Sequence, residues 1–195
     1  MAKRNLKTYL FFNRIIDVLI SLPLLIVLSP VLTAVAVLIR ITTHGQAIFM
    51  QVRVGKNAKV FYLYKFRTMV HDAEKYTGPV LSKHNDERVT KVGRVLRRLR
   101  IDELPQLWNV LKGDMSIVGP RPERPYFVAK HKELQGGRLS VNPGLTGMAQ
   151  VTGHYYTTPK NKWRYEKIYI KRMSLWLDLV IMAKTVVVIL TKRGS

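Results

Sequence analysis

Between Val18 and Ile39 the chain runs for 22 residues without a charge, and this stretch constrains the fold more than any other feature. A straight helix of that length reaches about 33 Å, enough to cross a hydrocarbon core of ~30 Å. It is too long for the apolar centre of a signal peptide and has no small-residue cleavage site. Pro23 and Pro30 lie inside the run. Each costs a helix interior roughly 3 kcal/mol and frees a carbonyl that lipid cannot satisfy. The Ser29 hydroxyl can return to a freed backbone group, so Ser29-Pro30 reads as a built-in bend. Lys3, Arg4, Lys7 and Arg14 precede the run. Arg40, Arg53, Lys56, Lys59, Lys65 and Arg67 follow it, with no acidic residue between Ile39 and Arg67. Basic residues mark the cytoplasmic side of a membrane segment, and here both flanks are basic. The expectation is a re-entrant helix-break-helix that returns to the face it entered, in preference to a straight span. Arg14 and Asp17, three apart on one helix face, are expected to pair at the membrane edge.

Charge narrows the partners. Lys and Arg number 33 against 12 Asp plus Glu, a formal net charge of +21. Such an excess calls for anions: nucleic acid, phosphorylated ligands or an acidic membrane surface. With 47% hydrophobic residues the chain is not disordered, and its 195 residues suffice for one domain with a core. The absence of Cys excludes disulfides, thiol catalysis and cysteine metal sites. His44, His71, His84, His131 and His154 show no metal-ligand spacing.

Downstream of the anchor, Ile48, Met50, Val52 and Val54 alternate as in a half-buried strand. Gly55-Lys56-Asn57-Ala58 is turn chemistry, and Val60 to Arg67 is again extended. The spacing predicts a β-hairpin whose second strand carries Phe61, Leu63, Lys65 and Arg67 on one face. Lys65 and Arg67 there fit either a phosphate contact or a solvated basic edge. His71 to Arg88 reads as a loop. From Thr90, a candidate N-cap, Val92, Val95, Leu96 and Leu99 mark one face of a basic amphipathic helix. That helix suits anionic headgroups or a phosphate, or else a solvated face.

Asp102-Glu103 opens the next segment. Leu104, Leu107, Trp108 and Leu111 have helical spacing, Pro105 suits a first turn and Gly113 a C-terminal stop. Two carboxylates at such an N-terminus are held ionised by the helix dipole, by about 0.3–1 kcal/mol each. Ordinary capping explains them equally well. Arg97 and Arg100 upstream, with Lys65, Arg67 and Arg121 expected to converge, favour phosphate chemistry. An ionised carboxylate can attack phosphorus, and a second beside it can help hold Mg²⁺, with Asp114 a further oxygen ligand. The stiff Gly119-Pro120-Arg121-Pro122 turn aims one guanidinium, as bidentate phosphate recognition requires.

These residues resemble the small monotopic phosphoglycosyl transferases, the bacterial sugar transferase family. The resemblance runs through Arg14-x-x-Asp17, Ser29-Pro30 and Lys65-Phe-Arg-Thr-Met69. It continues in the long string from Asp102 to Pro122, in Pro143-Gly-Leu-Thr-Gly147 and in Ala149-Gln-Val151. It implies that Asp102 attacks the β-phosphate of a UDP-sugar, expels UMP and carries the phosphosugar until a polyprenyl (undecaprenyl) phosphate takes it. It further implies that Glu103 supports Mg²⁺ and the reacting phosphate. Lys65, Arg67, Arg97, Arg121 and Glu166 would bind phosphate or nucleotide, with Pro120 and Pro122 lining the nucleotide. By the same likeness the chain sits on the cytoplasmic face of the bacterial inner membrane, starts a glycoconjugate, and allows a homodimer. Two departures stand out: Thr152-Gly153-His154 where the family commonly has Asn-Gly-Arg, and Glu166 where it commonly has Asp. Pro23 is a third. No multi-span N-terminal region precedes the anchor, so a catalytic core alone is expected.

The expected fold is α+β and mainly helical. A membrane-anchoring segment occupies 1–40, and a cytoplasmic catalytic domain with a small β-hairpin and amphipathic interfacial helices occupies 41–195. Lys160 to Met173 reads as a helix with Trp163, Glu166, Tyr169 and Ile170 on one side. Leu175 to Leu190 is apolar but interrupted by Asp178 and Lys184, which suits an interfacial or core helix. A membrane-tethered nucleic-acid binder and a non-catalytic scaffold both explain the charge. Neither explains the Asp102-Glu-Leu-Pro string, and no nucleic-acid-binding motif appears.

Overall fold

The structure is a computed structural model that describes residues 6–75, 78, 80, 86–152 and 158–191. It is α+β and mostly helical. Helix α1, Leu6–Thr42, is followed by the antiparallel hairpin β1 (Ile48–Val54) and β2 (Val60–Phe66). Then come α2 (Lys91–Arg98), α3 (Gln106–Lys112), strand β3 (Ser116–Val118), α4 (Pro125–Lys130), strand β4 (Gly144–Thr146), α5 (Met148–Thr152), α6 (Pro159–Arg172) and α7 (Leu175–Leu190).

The hairpin registers Ile48 with Phe66 and Val54 with Val60, turning through Asn57 and Ala58 at positive φ. Its second strand buries residues on both faces. Leu63 enters the main core with Val110, Met115, Ile117 and Tyr169, while Phe66 joins Ile39, Ala47 and Leu96 in a second cluster. Strands β3 and β4 pair in parallel, Ser116 with Gly144 and Val118 with Thr146. This pair was not foreseen. It depends on backbone approaching backbone: a Cβ on Gly144 would lie 2.1 Å from the Gly119 nitrogen. Only glycine fits there.

Helix α1 does not show the expected helix-break-helix. It is continuous through Ser29 and Pro30 for 37 residues. Pro30 has no N–H for the Ile26 carbonyl, and the Ser29 hydroxyl donates to that carbonyl instead, at 2.7 Å. The helix is long and apolar enough to cross a membrane. Yet both halves lie against the body. Tyr9, Asp17 and Ser21 are buried in the first half and Ile39 in the second, with Leu32, Val35 and Ala36 packed beside Phe66 and Leu96. Between these contacts Leu19, Ile26 and Val27 are exposed.

The Arg14–Asp17 ion pair does not form, because each side chain meets backbone groups of the body. Arg14 donates to the Val110 and Leu111 carbonyls at 2.6 Å each, capping the C-terminus of α3. Asp17 accepts from the Ile117 N–H at 2.8 Å and the Ser116 hydroxyl at 3.1 Å. Farther along the core, Tyr9 and Tyr169 both donate to Asp178, at 2.7 and 2.9 Å, joining α1, α6 and α7. So the two charges that interrupt α7 separate: Asp178 points inward and Lys184 outward.

Two helical faces also differ from their sequence patterns. Thr90 caps α2 through the Gly93 N–H, as expected. However, α2 seats Val92, Gly93 and Leu96 on the body, leaving Val95 and Leu99 exposed. In α3 the buried face is Gln106, Leu107, Asn109 and Val110, and Trp108 is half-exposed. The Asn109 side chain explains that rotation. It accepts from the Tyr64 N–H at 3.0 Å and donates to the Tyr62 carbonyl at 2.7 Å, holding α3 on β2.

Candidate active site

Between α2 and α3 the chain reverses at Arg100, which takes a left-handed φ of 58°. A single tight turn, Ile101–Glu103, follows it. Asp102 and Glu103 therefore lie on a turn ahead of α3, not in its first turn, and burial and neighbouring side chains rather than a helix dipole set their charge. Strand β2 brings Lys65 to Glu103, with its ammonium 3.1 Å from Oε1. The turn after β3 brings Arg121, whose two guanidinium nitrogens reach the Glu103 oxygens at 2.5 and 3.4 Å. Burial alone would raise the Glu103 carboxyl, but Arg121 and Lys65 outweigh it and hold Glu103 well below the usual carboxylate range. Burial pushes the Lys65 ammonium down, against the pull of Glu103.

Asp102 is different. It is 8% exposed, and among the described residues no side chain or N–H donates a hydrogen bond to its carboxylate. Burial, followed by the repulsion of Glu103, pushes its carboxyl up to about 6, while Lys65, Arg97 and Arg121 oppose the rise. The two adjacent acids have thus diverged. One is locked as an anion by two cations, and the other is ionised at neutral pH with its oxygens unengaged. Both open into a cleft of about 2150 Å³, whose wall includes Arg53, Lys65, Arg97, Arg100 and Arg121. An anion entering it meets several guanidinium groups around one available nucleophile.

The other expected site residues scatter around this centre. Arg97 lines the cleft and donates through Nε to the Thr68 hydroxyl at 2.8 Å. Arg67 also reaches the wall, but its Nη2 is spent on the Thr43 carbonyl and hydroxyl, at 3.0 and 2.7 Å, tying β2 to the end of α1. Glu166 is 2% exposed and faces Arg138, its Oε2 2.5 Å from Nε. Pro120 and Pro122 flank Arg121. Asp114 pairs with Lys112 at 3.2 Å and accepts from Asn109 at 3.3 Å. Gly153 and His154 lie outside the described residues.

No three carboxylate or imidazole groups gather as a metal cluster among the described residues. Of the carboxylates expected as ligands, Asp102 and Glu103 face the cleft, and Asp114 pairs with Lys112 outside it. That suits Mg²⁺, which keeps several waters and is bound through one or two carboxylates together with substrate phosphates.

Residues 8–192 match the family description "Bacterial sugar transferase". The chain belongs to that family. It is 43% identical over 193 residues to the UDP-N-acetylgalactosamine-undecaprenyl-phosphate N-acetylgalactosaminephosphotransferase of Aeromonas hydrophila, covering 96% of this chain and 45% of that protein. It is 40% identical over 183 residues to the UDP-glucose:undecaprenyl-phosphate glucose-1-phosphate transferase of Klebsiella pneumoniae, covering 90% and 39%. It is 35% identical over 210 residues to the undecaprenyl-phosphate galactose phosphotransferase of Salmonella typhimurium, covering 100% and 43%. The chain thus spans less than half the length of these relatives.

In this bacterial sugar transferase several residues that shape the site escaped the sequence reading. Arg53, Glu123, Arg138 and Lys162 form an ionic network behind Arg121, with Glu123 and Arg138 buried and Arg53 and Lys162 partly so. Glu123 accepts from Lys162 at 2.9 Å and lies 3.9 Å from Arg53 and 4.0 Å from Arg138. Arg138 sits in Gly136–Ser140, a stretch without periodicity, and Arg53 looked like part of a basic flank. The available signal was charge balance. A buried Glu166 needs a cation, but with 33 Lys and Arg against 12 Asp and Glu the sequence does not say which one.

Proposed function

We propose that this chain transfers a sugar 1-phosphate from a UDP-sugar to polyprenyl phosphate, releasing UMP, by way of a phosphosugar carried on Asp102. The observation that carries this reading is the divergence of two adjacent acids. Glu103 is held by Lys65 and Arg121, and the unengaged Asp102 lies beside it in a cationic cleft. The names of the relatives above supply the substrate classes.

In the first step an Asp102 carboxylate oxygen bonds to the β-phosphorus. The bond from that phosphorus to the bridging oxygen breaks, and UMP leaves with the oxygen. In the second step a phosphate oxygen of the polyprenyl phosphate attacks the same phosphorus. The aspartyl bond breaks, the carboxylate is restored, and a polyprenyl-diphosphate-sugar departs. Neither step needs a net proton transfer. Arg121 and Lys65 stand where the phosphoryl oxygens come to rest, and their positive charge stabilises the charge developing there. Arg97, which also lines the cleft, holds a second phosphate. Mg²⁺ would be held by Asp102 and Glu103 and would neutralise phosphate oxygens.

The acceptor is a lipid, so the cleft must open near a bilayer. Helix α1 contacts the body at both ends, with Asp17 on the Ile117 N–H and Ile39 among Phe66 and Leu96. A straight span ~30 Å across would carry one of those ends away from the body. These contacts and the basic flanks support a monotopic anchor, with the catalytic body on the cytoplasmic face of the bacterial inner membrane. Detergent- or nanodisc-held protein with Mg²⁺ and a panel of UDP-sugars is expected to release at most one equivalent of UMP alone and to turn over repeatedly only with polyprenyl phosphate, and Asp102→Asn is expected to abolish both. Lipid-independent hydrolysis, or release that survives Asp102→Asn, would contradict the proposal.

A further inference from the structure

Pro120-Arg121-Pro122 is held in an unusual way. Neither proline has an N–H, so the turn can be fixed from outside only through its carbonyls and the one Arg121 N–H. All three carbonyls are engaged, each from a different part of the chain. Pro120 accepts from the Gly144 N–H at 2.8 Å, Arg121 from Nη2 of Arg138, and Pro122 from Nη1 of Arg53 at 3.0 Å. Both arginines are charge-balanced behind the turn. Arg138 forks onto Glu166 at 2.5 and 3.1 Å, and Glu123, held by Lys162, lies between Arg138 and Arg53.

The Arg138 and Glu166 side chains are each 2% exposed. A buried ion pair of this kind gives little net stability, and an apolar pair of similar volume commonly packs as well. What an apolar pair cannot do is donate from one planar group to a carboxylate and a backbone carbonyl together. A lysine ammonium cannot span both with the same fork. The network is thus poorly explained as packing and well explained as a device that fixes the backbone of residue 121.

We infer that Arg138, locked by Glu166 and assisted by Arg53, is a positioning residue that clamps the Pro-Arg-Pro turn so that the Arg121 fork is aimed at Glu103 and the incoming phosphate. This rests on the phosphate-binding role proposed above for Arg121. It also moves Glu166 from direct contact with substrate to support of the clamp, two removes from the reacting phosphorus.

The test replaces the pair by an apolar one, Arg138→Met with Glu166→Leu, and uses Arg138→Lys as the milder companion. In ¹⁵N-arginine-labelled protein, the Arg121 Nε–H resonance is assigned by its loss in Arg121→Lys. It should move to the position of a solvated arginine in both variants while the thermal midpoint of the apolar pair stays near that of the unaltered chain. UMP formation should fall at least tenfold, mainly in kcat/KM. On an Arg121→Ala background the same substitutions should change turnover less than twofold, because the group they position is gone. An unmoved resonance, or an equal loss on the Arg121→Ala background, would overturn the clamp. The resonance decides the clamp without turnover, so an unaltered chain silent on every UDP-sugar would count against the proposed reaction alone.

Discussion

Asp102 and Glu103 are adjacent in sequence and opposite in circumstance, and the difference should show in pH dependence. The Asp102 carboxyl moves from 3.8 to about 6 on folding, mainly because it is buried. Since the folded value is the higher one, folding takes up a proton between about pH 4 and 6. Stability therefore falls as pH rises through that window, and the penalty is complete above it. A shift of this size corresponds to on the order of 3 kcal/mol. Asp102→Asn should accordingly unfold at a higher temperature than the unaltered chain at pH 8, by on the order of 1–3 kcal/mol, with the advantage gone near pH 4. Differential scanning calorimetry at the two pH values checks this. Turnover needs the anion, so kcat/KM for UMP release should rise with pH through an acid limb near 6. The pair itself was legible in the sequence, as were Lys65, Arg97 and Arg121. Which acid stays available was not, because that depends on Lys65 arriving from β2 and Arg121 from the turn after β3. Nor was it legible that Nη2 of Arg67 is engaged at the Thr43 corner while the side chain still reaches the cleft wall.

At the level of elements, strong periodicity was a reliable guide and short contacts were not. The hairpin, α6 and α7 fall within a residue or two of their expected limits. The β3–β4 pair has three residues a side and leaves no alternation to read; Gly119, Gly144 and Gly147 in the Val-Gly-Pro and Pro-Gly-Leu-Thr-Gly segments were its only trace. Gly144→Ala would place a methyl group 2.1 Å from the Gly119 nitrogen and 2.4 Å from the Thr146 carbonyl oxygen, both backbone atoms. It should part the strands, release the Gly144 N–H bond to Pro120 and lower both melting temperature and UMP release. A variant with unchanged turnover would show that the turn is held without this pair. The docking of α1 is tested by Tyr9→Phe, which removes one hydroxyl donor to the buried Asp178. Hydrogen bonds to a charged group contribute about 1.5–3 kcal/mol, so a loss of that order is expected on denaturant unfolding. The faces of α2 and α3 were misjudged because Gly93 packs on the Thr68 backbone in one and buried Asn109 bonds β2 in the other, each outweighing the apolar stripe.

Across the whole molecule, the membrane segment was the most legible feature and its geometry the least. Two prolines argued for a break, and one serine hydroxyl is enough to carry the helix past Pro30. The topology can be read without a background thiol because the chain contains no Cys. Lys7→Cys and Thr43→Cys should both react with a membrane-impermeant maleimide in inside-out vesicles and both resist it in intact spheroplasts. A helix that spans the bilayer would separate the two. The formal charge of +21 then falls into place as a cationic cleft and basic flanks around one anchor. The central claim is that Asp102 carries the sugar phosphate between donor and acceptor, and intact-protein mass spectrometry tests it most directly. Protein incubated with Mg²⁺ and an accepted UDP-sugar, without polyprenyl phosphate, should gain the mass of one phosphosugar, lose it when polyprenyl phosphate is added, and gain nothing as Asp102→Asn. UMP release on adding acceptor, from protein whose mass never changes under rapid quench, would mean direct transfer and would contradict the account.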